Sequence, residues 1–177
     1  GPKNLGLDDK AAKERAKEAL SLVGMAEKDY EKSPFELSGG QKRRVAIAGV
    51  LAMHPEILIL DEPTAGLDPK GRNDILDQIS ALHKQTGITV VLVSHSMEDV
   101  AKYVERIIVM NCGEVFMDGT PKEIFRNSDA LESVGLAAPQ VTYVMRQLRK
   151  TFPELPKDVT TVEEAKQALM RCLEADK

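Results

Sequence analysis

The sequence lacks several features that mark whole classes of protein. It has no tryptophan, and aromatic residues make up 4% of its 177 positions, too few for a surface that stacks nucleic-acid bases. Its two cysteines, Cys112 and Cys172, lie far apart and form no CxxC pair. Neither a zinc site nor a disulfide framework is therefore predicted, and both residues are expected to be reduced thiols. The formal net charge is −4, with both signs interleaved, which gives no electrostatic reason to expect DNA as a partner.

Long hydrophobic runs are also missing. The longest apolar stretch, Val45 to Met53, is much shorter than the roughly 20 residues that span a bilayer. No charged-then-apolar signal sequence opens the chain. Together with the reduced thiols, this pattern predicts a cytoplasmic protein, long enough for one domain with a core or a core with an appendage.

The hydrophobic pattern predicts an α/β protein with parallel strands. "EILILDEP" contains the aliphatic run Ile57–Leu60, and "ITVVLVSH" repeats it; both are typical of strands buried on both faces of a parallel sheet. The helix between them, from Asp68 to Gly87, predicts a right-handed strand–helix–strand crossover. Val45 to Met53 is apolar on nearly every side, which predicts a helix buried on more than one face. Other predicted helices lie at 8–24, 96–104, 120–127, 141–152 and 161–173, and a hairpin turns at 111–113.

Polar residues follow both predicted strands. Asp61 and Glu62 end the first strand, and Ser94 and His95 end the second. Ligands of open α/β sheets bind beyond the carboxyl ends of the strands. A carboxylate such as Asp61 suits Mg²⁺, and a neighbouring Glu62 can act as a base. The alternatives are a plain surface strand end and, for His95, a structural histidine.

A second candidate site is the helix start at "ELSGGQ". Ser38 is a good N-cap, and the bare glycines Gly39 and Gly40 leave backbone N–H groups accessible to an anion. Many Ser-Gly-Gly turns bind nothing, so this signal is weak alone. The basic run from Lys42 to Arg44 is interpreted as a solvated or ion-paired face.

The combination is far more specific. "LSGGQKRRVAIAGVLAMHPEILILDEPTAGLD", followed by "VLVSH", resembles the ATP-binding subunits of ABC transporters over about residues 33–126. The matching motifs are the signature (Leu37–Gln41), Walker B (Ile57–Asp61, with Glu62), the D-loop (Ala65–Asp68) and the switch histidine, His95. "GQKRRVAIAGVLAM" and "DGTPKEIF" are most similar to energy-coupling-factor and cobalt-type importers.

The resemblance implies a role for each motif. Glu62 would be the general base for attack of water on the γ-phosphate of ATP, and Asp61 would hold Mg²⁺ through water. His95 would contact the γ-phosphate, and Asp68 would organise the dimer interface. The γ-phosphate of a nucleotide held mainly by another subunit would be bound by Ser38, Gly39, Gly40 and Gln41.

The resemblance also implies a domain organisation and partners. Residues 1–37 would belong to a helical subdomain, 38–130 to the RecA-like core and 131–177 to a C-terminal helical extension. The partners would be a second ABC ATPase subunit, identical or paralogous, and a transmembrane coupling component, with no nucleic acid. The subunit would lie in the cytoplasm on the inner face of the membrane, and the importer's substrate (vitamin, cobalt or nickel) stays open.

No GxxxxGK[ST] motif occurs in the sequence, and no glycine precedes a lysine. The predicted fold is therefore an incomplete P-loop NTPase core with flanking helices, the C-terminal part of a longer subunit. Without the P-loop the chain is expected to bind ATP poorly and not to hydrolyse it. Missing strands should leave an apolar sheet surface open and favour self-association. Two other readings remain: a soluble ABC-type ATPase of DNA repair, and a non-catalytic module that lends its signature motif to a partner.

Overall fold

The computed structural model describes residues 1–175. They fall into two units, Gly1–Ser94 and a second that begins at His95. The first unit contains α1 (Asp9–Leu22), α2 (Gly39–Leu51), β1 (Ile57–Asp61), α3 (Pro69–Thr86) and β2 (Thr89–Val93). The second contains α4 (Met97–Tyr103), β3 (Ile107–Asn111), β4 (Glu114–Gly119), α5 (Pro121–Arg126), α6 (Ser128–Ser133), α7 (Gln140–Leu148) and α8 (Val162–Ala175).

Helices of the first unit begin where side chains cap their free N–H groups. The Asp8 carboxylate accepts from the Ala11 N–H at 2.8 Å, and the Asp68 carboxylate accepts from the Gly71 N–H at 3.1 Å. Such caps satisfy donors that have no partner within the helix. Helix α3 ends at Gly87, whose φ of 70° suits a residue without Cβ. These caps confirm the predicted starts of the two helices, and Gly87 confirms the predicted end of α3.

The two aliphatic runs form a parallel strand pair. Strands β1 and β2 lie in register from Ile57 opposite Thr89 to Asp61 opposite Val93, and α3 connects them. The predicted strand–helix–strand unit is therefore confirmed. Its carboxyl ends lie side by side, which places Asp61 and the residues after it at one edge of the pair.

The prediction that these strands are buried on both faces is wrong for the residues described. Leu58 and Leu60 are buried, whereas Ile57 and Ile59 are 57% and 67% exposed. Val91 and Val93 of β2 are exposed on the same side. An aliphatic run indicates only that both faces of the strand are apolar. Whether another part of the protein covers a face depends on tertiary packing.

The burial predicted for α2 is also wrong. Ile47, Ala48 and Leu51 are buried, whereas Ala46 and Val50 are exposed. Helix α2 packs on α1 and α3, and the small apolar residues on its far side stay in solvent. Alanine and glycine cost little when exposed, so their presence does not report burial.

The second unit begins with a small core beneath a hairpin. Strands β3 and β4 are antiparallel, and their two-residue turn is Cys112–Gly113 with φ of 50° and 83°. This left-handed pair is typical of a tight hairpin turn and confirms the predicted hairpin. The buried residues of this core, which include Val109 of β3, are Val100, Val109, Ile124, Phe125, Leu131 and Ala138.

The last two long helices share a separate cluster. Met145 of α7 packs with Leu155, Val159 and Ala165. The helix predicted over 141–152 is wrong at its end, because α7 stops at Leu148 and Phe152 is 37% exposed.

Candidate functional site

The start of α2 is held by a reciprocal pair of hydrogen bonds. The Ser38 hydroxyl accepts from the Gln41 N–H at 3.3 Å, and the Gln41 side-chain oxygen accepts from the Ser38 N–H at 2.9 Å. This capping box fixes residues 38–41, here called the signature turn. The hydroxyl accepts in this arrangement, so its own proton can still be donated outward.

The two glycines of the signature turn are not required by the fold. Neither Gly39 nor Gly40 has a positive φ. A Cβ built on either one lies within 4 Å of no atom of residues 1–175 outside its own helical turn. Glycine in a helix is less stable than alanine by about 0.5–1 kcal/mol. Close approach of a group from outside these residues would explain why side chains are missing here.

The surroundings of the signature turn favour an anion. The first-turn N–H groups of a helix lack intrahelical acceptors and carry the positive end of the helix dipole. No acidic residue lies in the first turn of α2. The turn therefore has the geometry and the sign of charge that suit a phosphate.

Asp29 ties the signature turn to the segment before it. Its carboxylate accepts from the Gln41 side-chain amide at 3.2 Å and pairs with the Lys32 ammonium at 2.6 Å. The residue is 7% exposed, and the hydrogen bond from Lys32 lowers the pKa of its carboxyl group. Sequence reasoning missed Asp29, because the turn that brings it to Gln41 leaves no periodic signal.

Asp61 is the last residue of β1 and is exposed. Among residues 1–175 no side chain or backbone donor binds its carboxylate. An exposed carboxylate at a strand end suits a hydrated Mg²⁺ held through water. No cluster of three or more His, Cys, Asp or Glu residues able to hold a metal is present in the described part of the chain.

Glu62 follows directly and turns the chain out of the sheet. Its N–H donates to the Val93 carbonyl at 2.9 Å, so it extends the pairing by one residue. Its φ is 45°, a left-handed conformation that costs a residue with a Cβ about 1–2 kcal/mol. Non-glycine residues held in this region often lie at functional sites.

The segment after Glu62 is a compact turn that leads into α3. The Ala65 N–H donates to the Glu62 carbonyl at 3.1 Å, and the Leu67 N–H donates to the Thr64 carbonyl at 3.2 Å. Asp68 ends this turn as the N-cap of α3. The structure shows that Asp68 caps α3. The place of Asp68 in a dimer interface stays a prediction.

The interpretation of the basic run as a solvated or ion-paired face is wrong for two of its three residues, which bond neutral groups of the chain. The Arg43 guanidinium donates to the Glu62 carbonyl. With the Gln78 amide oriented to satisfy its neighbours, the amide oxygen accepts from Arg44 at 3.0 Å. Lys42 is exposed. Helical spacing could have predicted that Arg43 and Arg44 face the core side of α2, because they lie four residues before buried Ile47 and Ala48.

His95 lies in the second unit, directly before α4. It is exposed, and the next residue, Ser96, caps α4 by accepting from the Asp99 N–H at 3.4 Å. The signature turn, Asp61, Glu62 and Asp68 all belong to the first unit. The role of His95 at a phosphate stays a prediction.

A family model described as "ABC transporter" matches residues 3–65. An energy-coupling factor transporter ATP-binding protein, EcfA2, of Clostridium perfringens is 55% identical over 98% of this chain and 61% of that protein. The protein of the same name from Caldanaerobacter subterraneus is 54% identical over 100% and 62%. The chain thus spans about six-tenths of the length of these curated relatives.

Solved structures show the same likeness. The structure of cbiO1 from Clostridium perfringens, described as part of the ABC transporter complex cbiONQ, has a TM-score of 0.64 at 40% identity. It covers 79% of this chain and 55% of that one. A dimeric bacterial ABC transporter cassette, MJ0796, has a TM-score of 0.54 at 36% identity, over 65% and 49% of the two chains.

The signature turn, the acidic strand end and these likenesses together indicate one class: the chain is similar to ATP-binding proteins of the ABC transporter family, whose model matches residues 3–65. Its sequence is similar over nearly its whole length to the energy-coupling factor transporter ATP-binding proteins. The α/β fold predicted for the chain is confirmed by its structural neighbours.

Proposed function

We propose that this sequence forms part of the ATP-binding and ATP-hydrolysing subunit of an energy-coupling-factor-type importer. The observation that carries the proposal is the signature turn, where a Cβ added to either glycine would have no atom of residues 1–175 outside its own helical turn within 4 Å. The names of the relatives, which are transporter ATP-binding proteins, support a transporter rather than a soluble ATPase of DNA repair.

In this proposal the signature turn binds the γ-phosphate of an ATP held mainly by a second ATPase subunit. The N–H groups of Gly39 and Gly40 and the Ser38 hydroxyl donate to phosphate oxygens, while Gln41 keeps the turn in shape. The dimeric ABC cassettes among the structural neighbours support a site shared between two subunits. The partner ATPase is either identical or paralogous.

At the end of β1, Asp61 holds Mg²⁺ through water and Glu62 accepts a proton from the attacking water. The ion, when bound, neutralises charge on the phosphates and orients them. Asp61 suits this task because its carboxylate is exposed and accepts no hydrogen bond from residues 1–175. His95 contacts the γ-phosphate, and Asp68 lies at the interface between the two ATPase subunits.

The assembly includes a transmembrane coupling component, and the ATPase lies on the inner face of the membrane. Within residues 1–175, no helix combines the length and the apolar character needed to cross a bilayer.

The test is ATP turnover by the full-length subunit, assembled as a dimer, with Glu62→Gln. Loss of a positioned general base lowers turnover by about 10²–10⁴-fold, while ATP binding should be retained because the carboxylate is not needed to hold the nucleotide. Glu56→Gln is the matched control, since Glu56 is an exposed glutamate that precedes the opposite end of β1. Equal turnover by the Glu62→Gln variant and the unaltered subunit would refute the assignment.

A further inference from the structure

We propose that Arg43 is a positioning residue for Glu62. Its guanidinium, carried on the signature helix α2, holds the turn from which the Glu62 side chain projects. In the proposed dimer, the signature turn of one chain lies in one nucleotide site, and Glu62 of the same chain serves the second site. Arg43 thereby links the position of the signature turn to the position of Glu62. This inference rests on the proposed role of Glu62 as the base.

The backbone of Glu62 needs support from outside its own segment. Its φ of 45° is unfavourable for a residue with a Cβ, and such conformations persist only where several contacts over-determine them. Two of the contacts come from the strand pair and the turn: the Glu62 N–H binds the Val93 carbonyl, and the Glu62 carbonyl binds the Ala65 N–H.

A second hydrogen bond to the Glu62 carbonyl oxygen comes from a different element, helix α2. Arg43 lies 19 residues before Glu62 in the sequence and donates from Nη2 to the Glu62 carbonyl oxygen. A carbonyl has two lone pairs, and the Ala65 N–H and Arg43 together use both. A charged donor makes a stronger bond than a neutral one, so Arg43 is suited to hold the left-handed turn in place.

The same helix carries the signature turn. Arg43 lies two residues after Gln41, and α2 is one uninterrupted helix from Gly39 to Leu51. A shift of the helix start on a phosphate therefore moves the guanidinium as well, because a short helix moves as a rigid element. The physical link runs from phosphate to signature turn, to Arg43, to the Glu62 carbonyl, and each step within the chain is a direct contact or a shared helix.

The surroundings argue against a general electrostatic role. Arg43 is half-buried and bonds a neutral carbonyl, whereas its neighbour Lys42 is exposed. If Arg43 served only to attract nucleotide by its positive charge, a hydrogen bond to the Glu62 carbonyl would not contribute to that role. Lys42→Gln therefore removes the same charge from the same helix without touching Glu62, and it is the matched control.

The experiment measures kcat and KM for ATP in the assembled full-length subunit carrying Arg43→Gln, Arg43→Lys or Lys42→Gln. We expect Arg43→Gln to lower kcat at least 10-fold with KM changed less than 2-fold, because the base is displaced and the nucleotide contacts are not. Arg43→Lys should recover part of the loss, since an ammonium can donate to the same carbonyl with a different reach. Lys42→Gln should match the unaltered protein.

Two further measurements separate positioning from a loss of folding. Arg43→Gln combined with Glu62→Gln should be no slower than Glu62→Gln alone, because residues that act through one group are not additive. Amide hydrogen exchange at Ala65, whose N–H bonds the same carbonyl, should quicken in Arg43→Gln and stay unchanged in Lys42→Gln.

An unchanged kcat in Arg43→Gln would overturn the inference, as would an equal loss in Lys42→Gln or a loss that multiplies with Glu62→Gln. If Glu62→Gln itself left turnover intact, the proposed function would fail, and Ala65 exchange would still decide whether Arg43 holds the turn. Unchanged exchange at Ala65 in Arg43→Gln overturns the inference in either case.

Discussion

Replacing Gly39 and Gly40 by alanine should stabilise this chain while destroying its proposed phosphate site. Both residues lie in the first turn of α2, neither has a positive φ, and a Cβ on either would meet no other element of the described chain within 4 Å. Where the backbone is compatible, Gly→Ala stabilises a protein by about 0.4–1 kcal/mol, chiefly by restricting the unfolded chain. The pair should therefore add about 1–2 kcal/mol to the free energy of unfolding.

The assay for stability is thermal unfolding of the 177-residue chain. For a chain of this size, each kcal/mol raises Tm by about 2–4 °C, so the double variant should melt about 2–8 °C higher. Two other glycines calibrate the measurement. Gly49→Ala, in open space in the same helix, should also stabilise, and Gly87→Ala, at a φ of 70°, should destabilise by about 1 kcal/mol.

The assay for function is ATP turnover by the full-length dimer. Two methyl groups on the signature turn would keep a phosphate away from the N–H groups, so turnover in Gly39→Ala/Gly40→Ala should fall while Gly49→Ala remains active. A double variant that was both more stable and fully active would refute the reasoning, because the glycines would then serve neither the fold nor a ligand. A large loss of stability in the double variant would also refute the reasoning, because it would show that the fold requires these glycines.

Three more outcomes follow from the contacts. The pKa of Asp29 is lowered in the folded chain, chiefly by Lys32, so its contribution to stability is present above about pH 4 and lost as the pH falls through the folded value. Asp29→Asn should thus flatten the fall in stability below pH 4, measured by urea unfolding at several pH values, and an unchanged slope would contradict this. Ile59 is 67% exposed on an apolar strand face that favours self-association, so Ile59→Lys should lower the mass seen by sedimentation at high concentration; a monomer before and after would contradict this. Phe125 is 1% exposed, so Phe125→Ala should cost about 3–5 kcal/mol in urea unfolding, and a cost below about 1 kcal/mol would contradict its place in the core.

Local signals accounted for much of the fold. Ser38 caps its helix as predicted, and Asp8 and Asp68 cap helices whose starts were predicted at these positions. Gly87 ends α3 as predicted. The start or end of each helix depends on atoms within a few residues along the chain, so the local sequence is enough to predict it.

Burial was harder to predict from the same residues. The run Ile57–Leu60 was expected to be buried on both faces, yet only Leu58 and Leu60 are buried. An apolar side chain shows which surface can be covered, and only tertiary packing shows whether residues elsewhere in the chain cover it.

For the candidate site, the sequence by itself determined the residue types and their order: a bare capped turn at Ser38–Gln41, then acids at the end of an aliphatic strand. Tertiary structure alone decided that Arg43 reaches the Glu62 carbonyl across 19 residues of sequence. The physical reason is the separation along the chain between the residues that interact. Caps and turns are set by neighbours along the chain, whereas a side chain's distant partner depends on how α2 packs beside the end of β1.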